Sequence, residues 1–218
     1  MEFVAATYIG NFNDRELIFE VYDEVNRYFS EEGLPLRLLY VGRLEVGPGY
    51  VINIQTENGS MKLYPLEAII EALHSKLLQE IENKGDIRMN KIFALAAFPL
   101  VSRNPYFDFF ERFFGIQGEV AGLKMMVLSV KPFESGIEGS ENPRELLKRR
   151  LVKGVLHEIG HGFGLRHCRN DCVMNPPEKM EEWDSRYPGY CDSCFINLKR
   201  AVEWSELSLS QGEGEKRF

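Results

Sequence analysis

The chain has 218 residues, 44% of them hydrophobic and 27% charged, proportions of an ordinary globular domain large enough to bury a core. A net charge of −7, with no basic run beyond Lys148-Arg149-Arg150, argues against a nucleic-acid surface. No apolar stretch approaches the roughly 18 residues that suggest a membrane span.

Strand-like and helix-like stretches alternate along the first half of the chain. Residues 4–9 form a short β-branched run. Residues 14–29 follow as a helix, with Leu17, Ile18, Val21, Tyr22 and Val25 at helical spacing. Residues 36–46 and 50–55 read as strands. Pro65 opens a second helix to about residue 82, with Ala68, Ile69, Ala72, Leu73 and Leu77 on one face. His74 in this helix reads as a surface residue with no ligand role. Residues 91–100 and 124–130 read as buried strands, and the stretch holding Gly115, Gly118 and Gly122 as a loop between them. The order β-α-β-β-α-β-β suits an α+β fold with a mixed sheet and packed helices. No internal repeat is present.

A long helix comes next, over residues 143–163. Asn142 is its expected cap, Pro143 suits the first helical position, and Glu145 completes a capping-box-like arrangement. Its 21 or so residues would span roughly 31 Å. Leu147, Leu151, Gly154 and Val155 are expected to bury against the sheet, and Lys148-Arg149-Arg150 to form a solvated face. Beyond Gly164 the chain reads as irregular until a last helix over about residues 194–207. The polar, glycine-containing stretch 208–218 reads as a mobile tail. This gives three parts: residues 1–164 with the sheet and the long helix, residues 165–207, and the tail.

The chemistry is concentrated at the end of the long helix. Residues 157–167 read HEIGHGFGLRH and hold three of the chain's four histidines. A chance match to this pattern is expected at about one in 10⁵. His157 and His161 are an i, i+4 pair on one helix face, about 5–6 Å apart at Cβ, so both imidazoles can reach one zinc ion at about 2.0–2.1 Å. Glu158 is rotated about 100° from His157, where it flanks the metal and can accept a proton from water. Gly164 allows the left-handed turn that ends the helix and returns His167 as third ligand. Three protein ligands leave a fourth position open, the arrangement of a catalytic zinc.

Cys168, Cys172, Cys191 and Cys194 form a second constellation, C-x₃-C followed by C-x-x-C. Four thiolates on a structural zinc is one reading, two disulfides another, and a redox C-x-x-C a third. Residues 1–12 lack a basic leader followed by an apolar run, so the chain is expected to be cytoplasmic, where metal is favoured over disulfide. His167 and Cys168 are adjacent, so two metals would be close neighbours.

The run from His157 to Cys194 resembles the archaemetzincins, a metzincin family of zinc metallopeptidases. The resemblance implies a metzincin-like fold. It implies catalytic zinc on His157, His161 and His167, Glu158 as general base, and structural zinc on the four cysteines. It also implies that Met174 is the Met-turn methionine beneath the metal, and that peptides are the substrate. In the family four residues usually separate the first two cysteines; here Arg169, Asn170 and Asp171 do. Many metzincins carry a tyrosine two residues after the Met-turn methionine; here that position is Pro176. Metzincins run the edge strand of the sheet along the cleft, and residues 118–122 are the expected equivalent, pairing with substrate backbone. The alternative function is a zinc-stabilised peptide- or protein-binding module with little hydrolysis. Nucleic-acid and membrane partners are not expected.

Overall fold

Alternation of side chains along one strand organises the molecule. A computed structural model describes residues 1–56, 59–85, 89–101 and 115–212 of the protein. In β1 (Glu2–Ile9), Val4, Ala6 and Tyr8 enter one apolar cluster, while Ala5 and Ile9 enter another. Successive strand residues point to opposite faces, so one strand feeds two cores. β5 (Lys91–Ala96) does the same with Phe93 and Leu95 against Ile92, Ala94 and Ala96. So does β7 (Leu123–Ser129), with Met126 and Leu128 against Met125 and Val127.

With β2 (Leu36–Tyr40) and β6 (Gly115–Val120) these strands form one sheet in the order β2-β1-β5-β7-β6. The first four are mutually parallel, and β6 joins antiparallel at the edge. Helices α1 (Glu16–Glu31), α3 (Pro143–Gly162) and α5 (Asp192–Gly212) bury apolar side chains in the first cluster. α2 (Leu66–Lys84) covers the other face with Leu66, Ile69, Leu73 and Leu77. A parallel sheet needs such cover on both sides. The mixed sheet with packed helices is therefore as expected, with a mainly parallel core. A separate hairpin, β3 (Ile52–Thr56) with β4 (Gly59–Leu63), lies outside the main sheet.

Several local expectations are corrected. The strand expected over 36–46 ends at Tyr40, and Leu44 makes only an isolated bridge to Ile9. The glycine-rich stretch read as a loop contains β6. Glycine is depleted in strands, so periodicity misses it, yet Gly115 pairs with Leu128 and Val120 with Leu123 across the β6–β7 ladder. The turn closing that hairpin takes Ala121 and Gly122, both at positive φ, so residues 121–122 of the expected cleft edge belong to the turn. A short helix, α4 (Met180–Ser185), interrupts the expected irregular region. α5 continues to Gly212, past the expected start of the tail, and residues 213–218 lie outside the described set.

Arg150 also departs from expectation. It is buried, not part of a solvated face: Nε and Nη2 donate to the two Asp184 carboxylate oxygens at 2.6 Å each. Its Nη1 donates to the Phe133 and Ser135 carbonyls at 2.7 Å. Arg150 lies one turn before Gly154, on the helix face that packs the first core. A guanidinium is tolerated there because its donors find acceptors.

Candidate active site

α3 begins as its sequence dictates. The Asn142 side chain accepts a hydrogen bond from Glu145 N at 3.2 Å, and Pro143 fills the first helical position. The reciprocal half of a capping box is replaced: Asn142 N donates to Ser140 Oγ, and the Glu145 carboxylate pairs with Lys148. Small residues then let the helix approach its neighbours. A Cβ on Gly154 would lie 2.8 Å from Leu128 Cδ2 and 2.9 Å from Phe133 Cζ, and one on Gly162 3.1 Å from Met126 Cε.

The helix ends as a Schellman motif. Gly164 has φ 87°, its N–H donates to the His161 carbonyl at 2.8 Å, and Leu165 N donates to the Gly160 carbonyl at 2.9 Å. The reversal brings His167 back towards the helix. The ring centroids of His157 and His161 lie 4.5 Å apart, and His167 is 5.3 and 4.9 Å from them. One ligand atom from each of the three falls within 4.8 Å of the others. Nδ1 of His157 lies 2.7 Å from the Val173 carbonyl oxygen, and Nδ1 of His161 2.8 Å from that of Leu165. A carbonyl only accepts, so each Nδ1 carries the hydrogen and each Nε2 keeps its lone pair. The two Nε2 atoms are 3.0 Å apart. Burial holds His157 down to about 3, and His161 is lowered by burial as well. Neutral imidazoles with converging lone pairs are the donor set that zinc takes.

Glu158 is buried, and burial alone pushes its carboxyl up to about 8. It borders a small cavity of about 30 Å³ with His157, Leu128, Phe133, Gly154, Pro176, Pro177 and Trp183. Met174 is fully buried against α3, where a Cβ on Gly160 would meet its Cε at 3.2 Å. The expected Met-turn methionine therefore does sit against the histidine-bearing helix.

The four cysteines are free thiols whose sulfurs also lie within 4.8 Å of one another. Cys168 and Cys191 Sγ are 3.8 Å apart, far beyond a disulfide bond of about 2.05 Å. The three-residue spacing before Cys172 does not prevent the cluster. Cys168 N donates to the Met174 carbonyl at 2.8 Å, tying the thiol cluster to the Met174 turn and to His167. Their donor chemistry likewise suits zinc. His74, on α2, joins neither group among the described residues.

Sequence reasoning missed the residues that shape the walls. Trp183 lines the cavity, and its indole Nε1 donates to the Arg150 carbonyl at 3.2 Å. Lys153 is buried, with its ammonium on the Trp183, Asp184 and Arg186 carbonyls. Gly115 lies against Glu158. No local signal marks Arg150 and Lys153 as buried: Arg150 reads as part of a solvated face, and Lys153 is rotated about 100° from Gly154.

Comparison with known proteins agrees with this geometry. The sequence model of peptidase family M54 matches residues 1–200. The archaemetzincin of Pyrococcus horikoshii is 37% identical over 115 residues, covering 52% of this chain and 60% of that protein. The archaemetzincin of Aeropyrum pernix is 30% identical over 141 residues, covering 62% and 73%. The first of these matches thus spans less than two thirds of the relative's length. Among solved structures, the archaemetzincin of Methanopyrus kandleri superimposes with a TM-score of 0.63 at 19% identity, covering 93% of this chain and 96% of that one. A zinc-dependent peptidase from Methanocorpusculum labreanum gives 0.60 at 20% identity, covering 89% and 99%; at such identities these two bear on the fold alone. Since the family match takes in the whole sheet, the histidine helix and the cysteine cluster, the chain belongs to peptidase family M54, the family of its archaemetzincin relatives.

Proposed function

We propose that the protein is a zinc-dependent peptidase acting on short peptides. His157, His161 and His167 hold the catalytic ion, Cys168, Cys172, Cys191 and Cys194 hold a structural one, and Glu158 is the general base. One observation carries the reading: three imidazole donors converge beside a buried carboxylate at an apolar cavity. Zinc bound there supplies Lewis acidity towards the scissile carbonyl and towards water. The Val173 and Leu165 carbonyls fix the tautomers of His157 and His161. With a divalent cation held by the histidines, Glu158 would be ionised, since a nearby positive charge favours the charged carboxylate. Glu158 then takes a proton from the attacking water and delivers it to the leaving amine.

The cavity beside Glu158 has room for about two water-sized groups, which suits a small apolar substrate side chain. Among the described strands β6 pairs with β7 alone, and an extended peptide is proposed to add along its other edge. Residues 1–164 provide the sheet and the helix, while residues 165–207 provide His167, Met174 and the thiol cluster. Four free thiols fit the reducing cytoplasm. Among the described residues no helix is long and apolar enough to cross a membrane.

The test is Glu158→Ala assayed on a panel of short peptides. It should retain zinc and lose hydrolysis by about 10²–10⁴-fold; unchanged turnover would refute the assignment. A second reading, a zinc-stabilised binding module, is favoured by Pro176, which lines the cavity without offering a hydroxyl. Binding of the same peptides with no chelator-sensitive cleavage would select it.

A further inference from the structure

We propose that Gly115, the first residue of β6, is a positioning residue: its bare Cα provides the space in which the Glu158 carboxylate sits. This inference rests on Glu158 acting as the base. A Cβ at Gly115 would lie 2.5 Å from Glu158 Cδ, closer still to Oε1, and 2.9 Å from the Val127 carbonyl oxygen. Real Cβ atoms do not approach other groups so closely. The backbone does not itself demand glycine here, because Gly115 is absent from the residues with positive φ. Nor does the strand exclude side chains generally. At Gly118, three residues on, the nearest atom to a Cβ would be Ile70 Cγ2 at 3.4 Å.

The ladder shows why position 115 is special. Gly115 pairs with Leu128, and Leu128 and Glu158 line the same cavity. α3 and β6 therefore hold the carboxylate between them, and the strand surface facing it is bare. A methyl group there meets both the carboxylate and the Val127 carbonyl. The carboxylate is the closer contact and the free end of a flexible side chain, whereas the carbonyl is held in the ladder and needs to give by only a few tenths of an ångström. The added methyl therefore acts mainly by shifting Glu158. A misplacement of about 1 Å in a catalytic group costs on the order of 10²-fold in rate.

The experiment compares the wild type with G115A, E158A and the double variant, each measured for zinc content, thermal midpoint and peptide hydrolysis. G115A is expected to hold zinc as the wild type does, to lose about 10²-fold in kcat, and to change KM by less than about threefold. It should cost nothing further in rate in the E158A background. Its loss of thermal midpoint should also be largely relieved in the double variant, because truncating the Glu158 side chain removes the closer of the two contacts. A wild-type kcat in G115A overturns the proposal, as does an equal loss with and without Glu158. If G115A alone does not fold, the double variant decides. Folding like E158A supports the proposal, whereas failure to fold assigns the clash to the Val127 carbonyl and overturns it. Wild-type turnover by E158A would instead remove the general-base reading, leaving the thermal midpoints to judge the packing of position 115.

Discussion

Gly160 shows how much of the site depends on single atoms. A Cβ there would lie 3.2 Å from both Met174 Cε and Tyr190 Cε1, and closer to the Met174 sulfur. Tyr190 is itself fixed by donating its hydroxyl to the Leu156 carbonyl at 2.5 Å. Gly160→Ala should therefore destabilise by about 1–3 kcal/mol through overpacking, read as a lower urea midpoint. His157→Ala is expected to remove the catalytic metal while the thiol cluster keeps its own, which metal analysis by mass spectrometry would resolve as a loss of about one ion per chain. Retention of full metal content would place the ion elsewhere. The histidines and Glu158 were legible because their spacing is local and helical. Gly115 was not, since its partner lies 43 residues further along the chain and no periodicity links them.

At the scale of elements, α3 carries two of the histidines proposed to hold zinc and also holds the cavity wall in place. Arg150 and Lys153 reach from α3 to α4, where Arg150 clasps the Asp184 carboxylate and Lys153 takes up carbonyls at the helix end. Cations are favoured at a helix C-terminus. Asp184→Ala should cost up to about 3 kcal/mol by leaving a buried guanidinium without its carboxylate, a loss moderated by the Phe133 and Ser135 carbonyls. A cost within error of zero would show the clasp to be inert. Lys153 gives a pH signature. Burial lowers its folded value to about 8 from an ordinary 10.5. Between those values the unfolded chain binds the extra proton, so stability rises with pH across pH 8 to 10.5. Lys153→Met should flatten that rise in urea midpoints measured from about pH 7.5 to about pH 10.5; an unchanged slope would contradict it.

The whole molecule couples two candidate metal sites through one short loop. His167 and Cys168 are consecutive, and Cys168 N donates to the carbonyl of Met174, which packs against Gly160 of α3. On the proposed reading, a metal held by the thiol cluster would brace the loop that delivers the third imidazole. Cys172→Ser is expected to lower zinc from about two ions per chain to about one or fewer. Hydrolysis should also fall, although none of the three histidines is changed. Full activity in a variant lacking the structural ion would show that the brace is dispensable.

The sequence by itself determined the histidine helix from its cap at Asn142 to its turn at Gly164, and the two sets of donor residues with their order. These are encoded within ten or twenty neighbouring residues, where helical spacing and turn chemistry act directly. It also determined the main strands, because β1, β5 and β7 are apolar on both faces. Only the tertiary structure decided that the glycine-rich stretch beginning at Gly115 is the edge strand against Glu158, that β3 and β4 pair with each other outside the main sheet, and that Arg150 and Lys153 are buried. Each depends on which distant segment supplies the ladder partner or the acceptor, and that choice belongs to the packed chain as a whole.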